Sequence, residues 1–215
     1  MRPTDHLAVW QRLRAQVDWA AAVRRPARPI VGGRDGFVHH AATVGGVRGD
    51  RLAAALAQVR ASTELSLPRL ASWHAVAMGH TVAMGHAVGG FRAGPAFAKG
   101  GRERYGLFPD TERRFADCLA EAVDERLPVT ARAARAYLDV SFFHPFDDGN
   151  ARAALLTLYF LLRRDEVVPD LVGPAVSVVR RADDPGGARD YVRLLDALIA
   201  GTHARLSAST CAAKA

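Results

Sequence analysis

The feature that most constrains this chain is a polar loop that runs directly into an apolar stretch, within residues 141–162. The loop reads Ser-Phe-Phe-His-Pro-Phe-Asp-Asp-Gly-Asn-Ala-Arg, and residues 155–162, just beyond it, are almost entirely apolar. A helix that is apolar on all sides is normally buried in a protein core. The sequence therefore predicts a buried helix whose N-terminus presents a polar loop.

The side chains of this loop suit the binding of a phosphate group. Gly149 lets the backbone approach a ligand closely, and the first amides of the following helix have no partners within it. Asn150 can donate an amide hydrogen to an anion, and Arg152 can direct two N–H groups at phosphate oxygens. Asp148 offers the carboxylate oxygen that Mg²⁺ prefers. Because His144 is suited to accept a proton near neutral pH, the loop predicts transfer of a phosphorus-containing group to a hydroxyl.

The full motif over residues 144–152, His-Pro-Phe-Asp-Asp-Gly-Asn-Ala-Arg, resembles that of the Fic family. The resemblance implies a mainly α-helical domain with a small β-hairpin flap. It also implies a protein adenylyltransferase, which transfers a nucleotide monophosphate, usually AMP from ATP, to a hydroxyl of a target protein. His144 is then the general base and Asp148 the Mg²⁺ ligand. The resemblance assigns the binding of the donor to Phe146, which anchors the loop, and to Gly149, Asn150, Ala151 and Arg152.

A second segment extends the resemblance towards the N-terminus. Residues 90–95 read Gly-Phe-Arg-Ala-Gly-Pro and are similar to the segment that opens the flap of the family. Residues 96–109 are then expected to form a hairpin that aligns the target chain by strand addition. The residues expected to contact the target are Phe91, Arg92, Gly94, Pro95 and Phe97. The resemblance covers approximately residues 60–170.

Two positions depart from the family pattern. Ala151 stands in place of a glycine, and Leu155 stands in place of a second arginine, which in the family contacts the outer phosphates of ATP. The loss of that arginine leaves other reactions open: transfer of phosphate, UMP or phosphocholine, or modification of a small metabolite. A non-catalytic, degenerate Fic binding module is a further alternative.

Many family members carry an inhibitory helix whose glutamate pairs with the second arginine. The most similar stretch here is residues 41–47, in which Gly45 falls at the glutamate position. Since both members of the inhibitory ion pair are missing, we expect no self-inhibition in cis. A toxin inhibited by an antitoxin partner is the remaining alternative, which Leu155 disfavours.

The composition of the chain argues against nucleic-acid binding and against a membrane span. The chain has 215 residues and a net charge of +7 that comes almost entirely from scattered arginines, since Lys99 and Lys214 are the only lysines. No basic run with interleaved aromatic residues is present, which argues against nucleic-acid binding. No apolar run is long enough to span a bilayer. The two cysteines, Cys118 and Cys211, form no disulfide framework, and we expect a cytoplasmic bacterial protein. A homodimer is compatible with the sequence.

Hydrophobic periodicity predicts a chain made mostly of helices. We assign residues 1–60 to an N-terminal helical extension packed on the core, 61–206 to the Fic-like domain and 207–215 to a disordered tail. Residues 5–25 are expected to form one helix and residues 26–49 an irregular segment. A tandem duplication at residues 76–87, Val-Ala-Met-Gly-His, is interpreted as a lengthened loop that alters access to the site, because a spacing of six residues between His80 and His86 is poor for a metal pair.

Overall fold

The structure, a computed structural model, describes residues 4–80 and 90–212. Most of these residues are helical, and four short strands accompany the helices. The predictions of a mainly α-helical fold and of a small β-hairpin are confirmed. The helices are α1 His6–Gln16, α2 Trp19–Ala22, α3 Gly36–Val44, α4 Gly46–Arg60, α5 Leu67–Met78, α6 Thr111–Ala122, α7 Val129–Phe143, α8 Asn150–Arg164, α9 Gly173–Ser177 and α10 Pro185–Ala212; the strands are β1 Ile30–Val31, β2 Ala96–Ala98, β3 Glu103–Tyr105 and β4 Val167–Val168.

The centre of the fold is the pair of helices α7 and α8, joined by the polar loop at residues 144–149. Residues 153–162 of α8 are all buried, because α4, α5 and α7 pack around this helix. Helix α7 is rich in alanine and is buried along nearly its whole length, which allows α6, α8 and α10 to approach it closely. The two helices thus hold the ends of the loop in a fixed frame.

Helix α1 joins the core through a buried carboxylate on α7. The indole Nε1 of Trp10 donates to Oδ1 of Asp139 at 2.9 Å, and Nε of Arg14 donates to the same oxygen at 2.7 Å. Trp10 is fully buried and Asp139 is nearly so. A buried carboxylate is costly unless it is paired, so this contact fixes α1 against α7.

The strands form two small sheets. β2 and β3 are antiparallel, with Phe97 opposite Arg104, and they form the flap next to the loop. β1 and β4 pair in parallel, with Ile30 opposite Val167. The second pairing was not predicted, because it joins segments more than 130 residues apart in the sequence.

Three segments differ from the sequence-based prediction. The helix expected over residues 5–25 is interrupted after α1, because Asp18 caps the separate helix α2 by accepting a hydrogen bond from the Ala21 amide. The segment 26–49, expected to be irregular, contains α3, whose first amides are bonded by the Asp35 carboxylate. Residues 207–212, assigned to a disordered tail, are the last turns of α10.

The duplication at residues 76–87 lies mostly outside the described residues, and the interpretation as a lengthened loop stays a prediction. Gly45 lies in the turn between α3 and α4 and has a φ of 68°. In the part of the chain that the structure describes, no helix is both long enough and apolar enough to cross a membrane.

Candidate active site

His144 ends helix α7 in the left-handed conformation, with a φ of 49°. This conformation is uncommon for a residue other than glycine, and at a functional site it fixes where the side chain lies. Nδ1 of the imidazole lies 2.7 Å from the carbonyl oxygen of Ser141. Because a carbonyl can only accept, we assign the proton of the neutral ring to Nδ1. The lone pair of Nε2 is then free to accept a proton from a substrate.

The His144 ring is held from the flap by an aromatic stack. It lies on the ring of Tyr105, with the centroids 4.1 Å apart and an angle of 10° between the planes. The Tyr105 hydroxyl donates to Oε2 of Glu103 at 2.7 Å. Burial lowers the pKa of His144, and the nearby Arg92 lowers it further, against opposing effects of the Ser141 carbonyl and Glu103. The imidazole is therefore neutral at pH 7, the form that a general base requires.

This lowered pKa leads to a prediction for the pH dependence of the reaction. Protonation of Nε2 removes the base, so kcat/KM is expected to rise with pH along an acid limb governed by the pKa of His144. The midpoint of that limb is expected below about 6.5, the ordinary value for histidine. Rates of transfer between about pH 4.5 and pH 8 would measure it, and a midpoint above 6.5 would contradict the assignment.

The loop after His144 is held by its own side chains. Asn150 binds the backbone of Phe146 at both ends of its amide: Oδ1 accepts from the Phe146 N–H at 2.9 Å, and Nδ2 donates to the Phe146 carbonyl at 2.7 Å. The Phe146 ring is buried. Asn150, predicted to donate to an anion, therefore also fixes the shape of the loop.

The residue just before α8, Gly149, has a conformation and surroundings that require a glycine. Gly149 has a φ of 72°, and a Cβ placed there would lie 2.7 Å from Nε2 of His74. No side chain within the described residues caps the helix at this end. The Arg152 N–H donates to the Gly149 carbonyl at 2.9 Å, whereas the N–H groups of Asn150 and Ala151 can bind an anion. Arg152 lies one turn in, is half-buried and donates from a terminal guanidinium nitrogen to the sulfur of Met78.

Asp148, the predicted Mg²⁺ ligand, offers one carboxylate just before the start of α8. Its side chain is exposed, and Oδ1 accepts from the Gly149 N–H at 2.6 Å, which fixes its orientation. Residues 4–80 and 90–212 contain no cluster of three or more acidic, His or Cys side chains that could enclose a metal. A single carboxylate combined with substrate phosphates is nevertheless a common way to bind Mg²⁺, so the residues present fit this cation.

His74 belongs to the site, although the sequence analysis did not select it. Its Nε2 lies 2.8 Å from the carbonyl oxygen of Asp148 and therefore donates to it. Its ring stacks on Phe146, with the centroids 4.0 Å apart. Burial lowers the pKa of His74. The available signal was a histidine on the apolar face of α5, one turn after Leu70.

We expect His74 to position Asp148 for cation binding. In His74→Ala the Asp148 carbonyl loses its donor, and the Mg²⁺ concentration for half-maximal activity is expected to rise about fivefold, the value of one hydrogen bond near 1 kcal/mol. His74→Gln keeps an N–H donor at a similar distance, so its Mg²⁺ concentration for half-maximal activity is expected to stay close to that of wild type. The measurement is activity as a function of Mg²⁺ for the three proteins. An unchanged Mg²⁺ requirement in His74→Ala would contradict this role.

The residues predicted to contact the target occupy different environments in the flap region. Phe91 is half-buried against Phe115, whereas Pro95 is exposed and Phe97 is 57% exposed on β2. Arg92 is only 4% exposed and donates to backbone carbonyls on both sides of the flap, including that of Gly94. The guanidinium of Arg92 therefore holds the flap in place.

Within residues 4–80 and 90–212, one edge of the flap is covered and the other is open. Asp5, the residue that caps α1, forms a bridge with Arg104 of β3 and accepts from the Gly106 N–H at 3.0 Å. The sheet has two strands, and no further strand in the described part of the chain pairs with β2. An open edge is where an extended peptide could add as a strand.

A cavity of about 290 Å³ lies between the flap, the end of α7 and the start of α8. His144, Asn150 and Ala151 line one side, and the segment 176–180, which begins in the last turn of α9, lines the other. Leu155, in place of the second arginine of the motif, is 3% exposed and packs in the core. The cavity thus brings the proposed base, a helix N-terminus and a second wall of the fold together.

The comparisons with known proteins concern the sequence family and the fold. The family model described as Fic/DOC family matches residues 64–162, and no curated protein sequence matches the chain. A segment of Fic-1 from C. elegans has a TM-score of 0.59 at 19% identity, covering 96% of this chain and 72% of that one. A variant of that Fic-1 segment gives 0.54 at 16% identity, covering 94% and 71%.

A Fic family protein from Desulfovibrio desulfuricans G20 gives a TM-score of 0.53 at 17% identity. The match covers 81% of this chain and 59% of that chain, so the present chain spans little more than half of that protein. The Fic/DOC family model thus matches residues 64–162 of this chain, and the similar solved structures share its fold.

Proposed function

We propose that this protein transfers a nucleotide monophosphate, with AMP from ATP as the first candidate, to a hydroxyl of a target protein. Members of the family generally transfer nucleotide- or phosphate-containing groups to targets. The observation that carries the proposal is the geometry of His144: Nδ1 lies 2.7 Å from the Ser141 carbonyl oxygen, which leaves Nε2 to accept a proton, and the ring lines a cavity next to the N-terminus of α8.

The reaction assigns one proton transfer to His144. The acceptor hydroxyl oxygen forms a bond to the α-phosphorus of the donor, the bond from that phosphorus to the bridging oxygen breaks, and pyrophosphate leaves. The hydroxyl proton passes to Nε2 of His144 and then to solvent. The Nδ1–H bond to the Ser141 carbonyl keeps the ring oriented and stabilises the imidazolium that forms.

The donor phosphates are assigned to the start of α8. The N–H groups of its first turn and the Arg152 guanidinium favour negative charge at this point. Asp148 is the residue that would hold Mg²⁺, and the bound cation would neutralise phosphate charge that develops during transfer. Ala151 replaces the motif glycine in the first turn of α8, and this residue is exposed.

A protein target is supported by the flap. β2 offers an open edge, and the exposed Phe97 on this strand offers an apolar contact for a side chain of the bound peptide. Backbone hydrogen bonds to an edge strand depend little on sequence, so they can align many targets. The acceptor hydroxyl would then lie near His144, which stacks on the neighbouring strand.

Transfer of the γ-phosphate is the second candidate, and Leu155 is the observation that favours it. Since Leu155 is buried in the core, α8 has no second arginine near its start to hold the outer phosphates in the usual pose. A donor bound in another orientation would present a different phosphorus to the acceptor. Transfer of UMP or phosphocholine would change the donor and keep the same base.

The experiment is transfer of label from ATP carrying the label at either the α- or the γ-phosphate. Purified protein, Mg²⁺ and a cell extract are incubated with each donor, and His144→Ala is the matched control. His144-dependent transfer of the α-label supports the proposal, and transfer of the γ-label alone supports the second candidate. No transfer from ATP, UTP, CTP or CDP-choline would overturn both in favour of a binding module.

A further inference from the structure

The cavity beside His144 contains one arginine that the proposed reaction has not used, Arg180. Two other cations near the site are already engaged. Lys99 donates to Glu103 at 2.7 Å, and Arg92 is buried against backbone carbonyls. Arg152 lies on α8 and does not line this cavity. Among the residues that the structure describes, Arg180 is therefore the cation of this cavity that has unused N–H donors.

Arg180 is held in place by aromatic residues. Its guanidinium lies over the ring of Tyr137, 4.8 Å from the centroid, and a terminal nitrogen donates to the Tyr137 hydroxyl. The Tyr137 ring stacks in turn on Tyr191, with the centroids 4.8 Å apart, and both tyrosines are buried. This support restricts the rotamers of Arg180 while leaving its remaining N–H groups free, so little entropy is lost when it binds an anion.

No carboxylate neutralises Arg180 in the part of the chain that the structure describes. Its neighbour Arg181 is different, because Nε and a terminal nitrogen reach the two oxygens of Asp183 at 3.1 and 3.0 Å. The acidic residue of the cavity, Glu103, is occupied by Lys99 and by the Tyr105 hydroxyl. A guanidinium without a counter-ion in a partly enclosed cavity is a binding element for an anionic ligand.

The opposite wall of this cavity offers a second place for an anion. The first turn of α8 supplies N–H groups at Asn150 and Ala151, so an anion could be bound at both ends of the cavity. Arg152 does not line this cavity and Leu155 is buried in the core, so the first turns of α8 supply no side-chain cation here. A ligand that contacts both Arg180 and the first turn of α8 needs more than one negatively charged phosphate group.

We propose that Arg180 binds the outer phosphates of a nucleoside triphosphate donor whose inner phosphate lies at the start of α8. This inference rests on the proposed function, since it names how the same donor is bound. It makes Arg180 a residue that determines the preference for triphosphates over monophosphates. It also places the outer phosphates on the side of the segment 176–180.

The test compares binding of ATP and AMP by calorimetry in four full-length proteins: wild type, Arg180→Met, Arg180→Lys and Arg181→Met. Loss of a charge-assisted contact is expected to raise the Kd for ATP roughly tenfold in Arg180→Met, with the Kd for AMP unchanged. Arg180→Lys keeps the charge and is expected to lose less. Arg181→Met removes an equal charge from a residue that is already paired, and it is expected to match wild type.

The outcomes separate this inference from the proposed function. Equal weakening of ATP and AMP would overturn the inference, because Arg180 would then bind a part common to both. Unchanged binding of ATP in Arg180→Met would overturn it as well. If wild type binds neither ATP nor inorganic tripolyphosphate, the donor assignment itself is wrong. Unfolding curves for all four proteins exclude loss of fold as the cause.

Discussion

Replacement of His144 by alanine is expected to lower the rate of transfer by about 10²–10⁴-fold, the usual contribution of a positioned base. The loss should appear in kcat, because the proton is transferred only as the new bond forms. Binding of ATP is expected to change little, since the proposed phosphate contacts come from α8 and Arg180. Single-turnover rates and the Kd for ATP, measured on the same preparations, test both statements.

The matched control is His39→Ala, which removes an imidazole from α3, outside the site. This variant is expected to retain the wild-type rate. Removal of His144 also removes its stack on Tyr105, so the unfolding temperature of each variant should be recorded. A folded His144→Ala protein that transfers at the wild-type rate would show that another group takes the proton.

Replacement of Arg92 by methionine is expected to lower stability by about 3 kcal/mol, because several buried carbonyls lose their donor together. Nε donates to the His144 carbonyl at 2.8 Å, and a terminal nitrogen donates to those of Gly106 at 2.6 Å and Phe143 at 3.3 Å. For a domain of this size the loss corresponds to roughly 6–12 °C in Tm. Transfer should fall as well, since these contacts fix the backbone of the base and the flap.

Arg102→Met provides the control for this prediction, because Arg102 carries the same charge and is exposed in the turn of the flap hairpin. Its Tm is expected to stay within about 2 °C of wild type, as for most surface substitutions. Hydrogen exchange at β2 and β3 shows whether the flap has opened in Arg92→Met. A wild-type Tm and protected flap amides in Arg92→Met would refute the proposed clamp.

The parts of the site that the sequence predicted are local. Residues 144–152 are contiguous, so a helix end, a glycine with positive φ and a helix start follow from their order. Phe146 was expected to anchor the loop, and its ring is buried. The helix starts at Asp18 and Asp35 were not predicted. Asp18 lies in a stretch whose periodicity predicted one long helix, and Asp35 lies in a segment predicted to be irregular.

The parts that the sequence did not reveal depend on contacts between distant segments. His74 reaches the Asp148 carbonyl across 74 residues, and Arg92 reaches the end of α7 across more than 50. In the sequence, Arg180 belongs to one of several scattered arginine pairs. Its position beside the cavity depends on the packing of α10 against α7. Local periodicity identifies helices, but it does not state which helix ends meet.

The proposed mechanism requires a neutral His144 whose Nδ1 carries the proton, and ¹⁵N NMR of the imidazoles measures this directly. The chain has eight histidines, and the spectra of His144→Ala and His74→Gln identify the two signals of interest. At pH 7 we predict a protonated Nδ1 and a free Nε2 for His144, and the opposite tautomer for His74. A protonated Nε2 on His144 at this pH, in either the neutral ring or the imidazolium, would contradict its role as the base.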